Sequence, residues 1–198
     1  MGNRSLLLLR HGTATGEGTL SEVGREEASF AADGLCAYLE LPSNFMPKAD
    51  GKPAAVKLLH SGKERAAQTA SIVQAALVKA GCTVECVEAA DALAPKAEAA
   101  AAVGLISASA APLTVLVGHL PHLNVTCETL GIGVSDESFA PAGGVLLESN
   151  DNSGGWALSH HVLPLSAKKD WWIHGASSYT PSDGRDGTNG FHRVASFS

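Results

Sequence analysis

Three short aliphatic runs of this chain each end at a pair of residues that contains a histidine. The runs and their terminal pairs are Ser5–Leu9 before Arg10-His11, Ala55–Leu59 before His60-Ser61, and Leu113–Val117 before Gly118-His119. Short apolar runs of this kind are typical of strands buried on both faces of a parallel sheet. Because parallel strands need long crossover connections, this feature restricts the chain to folds in which helices link the strands.

The remaining segments supply those helices and three further strands. Four segments have helical composition, namely Ser21–Leu39, 62–80, 95–110 and Pro121–Leu130. Ser21 fits an N-cap of the first helix, and Ser61 with Glu64 fits a capping box at the start of the second. Thr83–Val87 predicts a weaker strand, and Gly144–Glu148 with Trp156–Leu163 predicts a hairpin.

This alternation of strands and helices predicts an α/β fold, a three-layer α/β/α sandwich around a mostly parallel central sheet. A length of 198 residues favours one domain. We assign residues 1–174 to that domain. Residues 175–198 are rich in Gly, Ser, Thr and Asp, and we expect them to be a tail that is flexible or that docks on a protein partner.

Composition argues against several classes of partner. Lys and Arg number 14 against 20 Asp and Glu, a net charge of −6, and only 5% of residues are aromatic. Neither a broad basic face nor a base-stacking platform for nucleic acid is therefore expected. The aliphatic run Leu6–Leu9 is too short for a membrane span or a signal-peptide core, so we expect no membrane partner and a cytoplasmic location. The four cysteines form no C-x-x-C pair, so no metal site is expected.

The strand ends indicate where a site would form. In open sheets of this kind, ligands bind outside the carboxyl ends of the strands. Arg10-His11, His60-Ser61 and Gly118-His119 are each expected at such an end. Polar groups that suit a phosphate would thus meet at one rim, although each pair could also be an ordinary polar loop.

Four motifs carry a resemblance to a known family. They are Arg10-His11-Gly12, Leu20-Ser21-x-x-Gly24-x-x-x-Ala28, Ser61-Gly62-Lys63-Glu64-Arg65-Ala66-Ala67-Gln68-Thr69-Ala70, and Val117-Gly118-His119-Leu120-Pro121-His122-Leu123. In this order they resemble the signatures of the histidine phosphatase superfamily, the phosphoglycerate-mutase-like clan, over about residues 5–165. The compact form, with Gly-His-Leu-Pro and no inserted helical subdomain, is most similar to the SixA-like phosphohistidine phosphatases.

The resemblance implies a role for each motif residue. His11 would be the nucleophile that forms a phosphohistidine, and Arg10 and Arg65 would grip the phosphoryl oxygens in two-pronged fashion. His119 would donate to the transferring group. The expected phosphate-binding residues are Arg10, Gly12, Ser61, Arg65 and His119. Arginines and histidines supply the charge, so neither a metal nor another cofactor is expected.

The proton donor is less clear from the motifs. Larger family members place a glutamate in a segment after the third strand, and that segment is missing here. Asp91 occupies roughly the equivalent place, and Glu17, in the loop after Gly12, is the rival. Ser61 could serve only as an N-cap, and His122 is expected behind the site or at the surface.

Two functions remain open from the sequence. The first is a metal-independent phosphatase that acts through a phosphohistidine intermediate on a phosphohistidine protein or a small phosphate ester. The alternative is a catalytically idle protein of the same fold that serves as a structural or interaction subunit of a larger assembly. The set of Arg10, His11, Arg65 and His119 favours the first.

Overall fold

A computed structural model describes residues 4–40, 54–149, 155–162, 165 and 191–193, and the strands in these ranges form a single sheet. In chain order they are β1 (Ser5–Arg10), β2 (Ala55–His60), β3 (Thr83–Glu88), β4 (Leu113–Gly118), β5 (Gly144–Ser149), β6 (Trp156–Val162) and β7 (Phe191–Arg193). Across the sheet the order is β3-β2-β4-β1-β5-β6-β7. The first four of these neighbours pair in parallel, and β5, β6 and β7 continue the sheet antiparallel.

Helices cover both faces of the sheet. They are α1 (Glu22–Glu40), α2 (Glu64–Lys79), α3 (Ala90–Leu93), α4 (Ala99–Ala108) and α5 (His122–Thr129). Alternate side chains of β1 enter different cores, since Leu7 and Leu9 pack with α1 and α2, whereas Leu6 and Leu8 pack with α3, α4 and α5. Successive side chains of a strand point to opposite faces, so this is the expected three-layer α/β/α sandwich.

The register of the parallel strands sets the polar strand ends side by side. Arg10 pairs with Gly118 between β1 and β4, and His60 pairs with Val117 between β2 and β4. The backbone N–H of His11 also donates to the carbonyl of Gly118 at 3.2 Å. The residues that follow these three strands therefore lie along one rim of the sheet.

The helix starts differ from the sequence prediction at α2. The N-cap of α1 is confirmed, because the Gly24 N–H donates to Ser21 Oγ at 3.0 Å. The capping box of Ser61 and Glu64 is wrong: α2 begins at Glu64 behind Lys63, and no side chain caps it. A turn through Gly62, whose φ of +70° suits glycine, separates Ser61 from the helix and frees its hydroxyl for another partner.

The helix predicted over residues 95–110 is shorter than expected. The alanine-rich segment forms α4 at Ala99–Ala108, and the four-residue α3 precedes it. Ala94 has extended backbone angles, with φ of −59° and ψ of 153°. A proline disfavours the helical conformation in the residue before it, so Pro95 explains why the two helices are separate.

The final strand lies within the expected C-terminal tail. Phe191–Arg193 forms β7 and pairs antiparallel with β6. The other residues of 175–198 lie outside the described residues, so the division into a 1–174 domain and a tail stays a prediction. Within the described ranges no helix is long and apolar enough to cross a membrane.

Gly144→Ala should destabilise the fold, because a Cβ at this position would lie 2.1 Å from the Leu8 carbonyl oxygen on β1. We expect the free energy of unfolding to fall by about 1–3 kcal/mol, as for other overpacked sites. The measurement is urea unfolding followed by circular dichroism.

Gly104→Ala is the matched control for that change. Apart from its chain neighbours and the nearby backbone of α4, no atom of the described residues lies within 4 Å of a Cβ added at Gly104. Since alanine is the better helix former, this variant should gain about 0.5–1 kcal/mol. Equal effects of the two variants would contradict the close approach of β5 to β1.

Candidate active site

Five side chains from four elements meet at the carboxyl-end rim. Arg10 ends β1 and His11 follows it, Ser61 follows β2, and His119 follows β4. Arg65 enters from the first turn of α2. The ring centroids of His11 and His119 are 4.9 Å apart. Two imidazoles and two guanidinium groups therefore lie together at the carboxyl ends of the strands, where the sequence predicted a shared site.

The hydrogen bonds of His11 define which ring nitrogen carries its proton. Arg65 Nε donates to His11 Nε2 at 3.0 Å, and His11 Nδ1 lies 2.7 Å from the Gly12 carbonyl oxygen. Because arginine can only donate, Nε2 must accept, and Nδ1–H donates to Gly12. Nε2 therefore keeps a lone pair, which is the form a nucleophilic imidazole needs.

The same reasoning assigns the ring of His119. Ser61 Oγ lies 2.5 Å from His119 Nε2, and Arg65 Nη2 lies 3.4 Å from His119 Nδ1. Since the Arg65 guanidinium can only donate hydrogen bonds, His119 Nδ1 is the acceptor. His119 Nε2 therefore carries the proton and donates to Ser61 Oγ. Ser61 therefore orients His119, which is the partner its hydroxyl has in place of a helix cap.

Both histidines are neutral at physiological pH. Burial lowers the pKa of His11 to about 4, assisted by the charges of Arg65 and Arg10 and opposed by the bond to Gly12. Burial also lowers the pKa of His119 to about 3, and His11 and Arg65 lower it further. A buried imidazole beside fixed cations cannot easily take up a proton, so the lone pair on His11 is preserved.

Arg10 has a donor that the protein leaves open. Its Nη1 donates at 2.9 Å to the carbonyl of Phe139, in the short 3-10 turn Asp136–Phe139. Its Nε is buried and has no acceptor among the described residues. Leaving a buried donor unsatisfied costs about 1–3 kcal/mol, and an anionic oxygen would remove that cost. The site therefore has the charge and the open donor that a phosphoryl group requires.

Comparison with solved structures finds proteins of similar fold. A protein assigned as the phosphohistidine phosphatase SixA from Agrobacterium tumefaciens superposes with a TM-score of 0.57 and 26% identity, over 81% of this chain and 98% of that one. The corresponding protein from Nakamurella gives 0.56 and 19%, over 83% and 98%. A phosphoglycerate mutase from Plasmodium falciparum gives 0.54 and 17%, over 80% and 89%. The chain is therefore similar in fold to solved SixA and phosphoglycerate mutase proteins, as the sequence motifs had led us to expect.

No family model and no curated protein matches the chain. At the coarse level, the likeness to the SixA protein supports an activity of the phosphatase type.

Gly12, one of the expected phosphate-binding residues, lies in the loop that follows His11. Its N–H donates to Thr69 Oγ1 at 3.2 Å. A Cβ on Gly12 would lie 2.3 Å from the Gly24 carbonyl oxygen. Glycine is needed here because the loop after His11 packs directly on the backbone of α1.

Neither expected acid contacts the basic groups. Asp91 is exposed on α3, which is tied to the rim by the Ala89 N–H bond to the His60 carbonyl at 2.8 Å. Glu17 is exposed in a turn beside Arg65, where a Cβ on Gly18 would be 3.9 Å from Arg65 Nη1. Within the described residues, no hydrogen bond or ion pair joins either carboxylate to the histidines or arginines. Both stay candidates on position alone.

Sequence reasoning missed a third carboxylate at this rim. Glu88 is the last residue of β3 and pairs with His60 in register. A Cβ on Gly62 would lie 2.5 Å from Glu88 Oε1, so this carboxylate covers the turn that follows Ser61. The strand-end rule that found the other residues would have found Glu88 if the weak third strand had been extended by one position.

His122 is buried rather than exposed. It is 2% exposed at the start of α5, and both ring nitrogens lack a partner among the described residues. Burial lowers its pKa, so the ring is neutral. His122 was expected either behind the site or at the surface, and its burial excludes the surface.

Arg65→Gln should raise the pKa of His11 above about 4, because the substitution removes a cation from beside Nε2. The value should stay below the ordinary 6.5, since burial, the larger cause, remains. The measurement is a titration of the His11 ring followed by NMR.

Arg25→Gln is the control for this titration, because Arg25 is exposed on α1. It should leave the His11 titration unchanged. A His11 pKa that stays the same or falls in Arg65→Gln would contradict the contact between Arg65 and Nε2.

Proposed function

We propose that this protein is a metal-independent phosphatase that acts through a phosphohistidine on His11. The observation that carries the proposal is the tautomer of His11, whose Nε2 lone pair is held 3.0 Å from Arg65 Nε. An imidazole that is neutral, correctly protonated and flanked by arginines is suited to attack a phosphorus atom.

In the first step a phosphoryl group replaces His11 as the acceptor of Arg65. Its oxygens would take bonds from Arg65 and from the open Nε of Arg10. His11 Nε2 then attacks phosphorus in line, a P–N bond forms, and the bond from phosphorus to the leaving group breaks. The leaving group keeps the electron pair of that bond and takes a proton from an acid or from water. The arginines stabilise the charge on the three equatorial oxygens.

In the second step water attacks the phosphohistidine. The P–N bond breaks, its electron pair returns to Nε2, and inorganic phosphate leaves. The bond from Nδ1–H to Gly12 at 2.7 Å persists through both steps, so the ring recovers its starting tautomer. A bound phosphoryl dianion raises the pKa of His119, which then donates to a phosphoryl oxygen.

For the substrate, we propose a phosphohistidine protein, with a small phosphate ester as the other class. Two structural neighbours are assigned as phosphohistidine phosphatases, which supports the first class. Asp91 and Glu17 also support it, because both are exposed and neither forms a hydrogen bond or ion pair with the histidines or arginines among the described residues. An imidazole leaving group needs little help from a positioned acid, whereas an alkoxide needs more.

His11→Ala should abolish both turnover and the trapping of phosphate on the protein. The assay uses a phosphohistidine protein beside p-nitrophenyl phosphate, both in EDTA, with acid quenching to detect protein-bound phosphate. Wild type should hydrolyse phosphohistidine and show a transient acid-labile phosphoprotein. Thermal unfolding of the variant near the wild-type temperature is the control for folding.

Near-normal turnover by His11→Ala would remove His11 from the nucleophile role. If wild type hydrolyses neither substrate and binds no vanadate, the idle-subunit alternative replaces the phosphatase proposal.

Asp91→Asn should slow the hydrolysis of an alkyl phosphate at least roughly tenfold more than that of phosphohistidine, because one general-acid contact contributes about 10²–10⁴-fold where the leaving group needs it. The measurement is kcat/KM on both substrates.

Glu17→Gln and Glu88→Gln are the matched comparisons, since each removes one carboxylate from the same rim. A selective loss in either, with none in Asp91→Asn, would reassign the acid to that position. Equal losses on both substrates in Asp91→Asn would make Asp91 a structural residue.

A further inference from the structure

The residue after the Arg-His-Gly motif is held entirely by α1 and its cap. Glu27 Oε2 accepts from the Thr13 N–H at 2.7 Å, and Glu27 Oε1 accepts from Thr13 Oγ1 at 3.0 Å. The carbonyl of Thr13 accepts from the Ser21 N–H at 2.9 Å and from Ser21 Oγ at 3.0 Å. Every polar group of Thr13 is therefore bonded to one helix start.

Packing fixes this loop as firmly as the hydrogen bonds do. Glu27 is 9% exposed, so water competes little for its carboxylate. A Cβ on Gly24 would lie 2.0 Å from the Thr13 carbonyl oxygen, which shows that the loop rests on the helix backbone. The backbone of α1 therefore blocks movement of the loop towards the helix, and the hydrogen bonds to the Glu27 carboxylate oppose movement away from it.

One peptide bond connects this anchor to His11. The Thr13 N–H that Glu27 binds and the Gly12 carbonyl that accepts from His11 Nδ1 belong to the same planar unit. In a trans peptide these two groups point in opposite directions, so holding the N–H aims the carbonyl. A carboxylate on the N–H also polarises the amide and makes its carbonyl a stronger acceptor.

We propose that Glu27 is a positioning residue for His11. Its carboxylate acts through the peptide between Gly12 and Thr13 to keep the proton of His11 on Nδ1 and the lone pair on Nε2. The hydrogen bond made by one ring nitrogen decides which nitrogen is protonated, so this arrangement sets the tautomer. The catalytic consequence rests on the proposed function, whereas the tautomer does not.

The test compares Glu27→Leu, which removes both acceptors, with Glu27→Gln, which keeps an acceptor for the Thr13 N–H. Glu26→Gln, an exposed neighbour on the same helix, is the control. The first readout is ¹⁵N NMR of the His11 ring. Wild type and Glu26→Gln should show Nδ1 protonated, whereas Glu27→Leu should show a population with the proton on Nε2.

The second readout separates positioning from binding. In Glu27→Leu, phosphoprotein formation should slow about 10²-fold, as expected for a misplaced reacting group. Vanadate affinity should stay within about threefold, because Arg10 and Arg65 are unchanged. Glu27→Gln should recover most of the rate.

A further variant distinguishes the peptide relay from a general brace. Thr13→Val removes the hydroxyl but keeps the backbone N–H on Glu27, so the His11 tautomer should be unchanged. If Glu27→Leu fails to fold, Thr13→Val and the smaller change Glu27→Gln still test the proposal.

The results that overturn the inference are distinct from those that overturn the function. A wild-type tautomer and rate in Glu27→Leu would remove Glu27 from this role while leaving the phosphatase proposal intact. A tautomer change in Thr13→Val would show that the side chain, and not the peptide, carries the effect. If wild type forms no phosphoprotein but Glu27→Leu shifts the tautomer, the inference stands and the proposed function fails.

Discussion

The parallel pairing of β1 with β4 is the constraint from which the rest of the site follows. Arg10 pairs with Gly118 in this register, so the strand pairing alone makes His11 and His119 neighbours. A shift of one residue would move every leucine of β1 to the other core and separate His11 from His119. Both strands are buried along almost their whole length, so such a shift in register would be costly. Apolar packing of β1 and β4 therefore fixes the positions of the polar residues at their ends.

The electrostatic balance of the site is set before any ligand arrives. Two guanidinium groups stand among imidazoles that burial keeps neutral. Among the described residues, no carboxylate pairs with Arg10 or Arg65, so their charge is available to an incoming anion. Charged groups that are already oriented need little rearrangement when negative charge develops in a transition state. Enzymes commonly gain much of their rate enhancement in this way.

Local patterns predicted the strands and the placement of the site, and tertiary hydrogen bonds limited the prediction. The strands predicted from Ser5 and Leu113 end one residue late in the structure, at Arg10 and Gly118, because a polar or small residue still pairs at a strand end. The bond of Ser61 to His119 was not predicted, since a serine before a helix looks like a cap. The role of Glu27 was not predicted either, because no local pattern shows which loop a helical carboxylate will bind.

The contact between Arg65 and His11 has a consequence for which molecules can reach Nε2 of His11, the proposed nucleophile. In the free protein the lone pair of His11 is occupied as an acceptor, so an uncharged electrophile meets a shielded nitrogen. An anion can offer Arg65 a stronger acceptor than a neutral imidazole, and the exchange uncovers His11 at the moment the anion is bound. Under the proposed function, the hydrogen bond from Arg65 would therefore favour anionic substrates over neutral ones. Substrate selectivity would then depend on this bond as well as on the shape of the site.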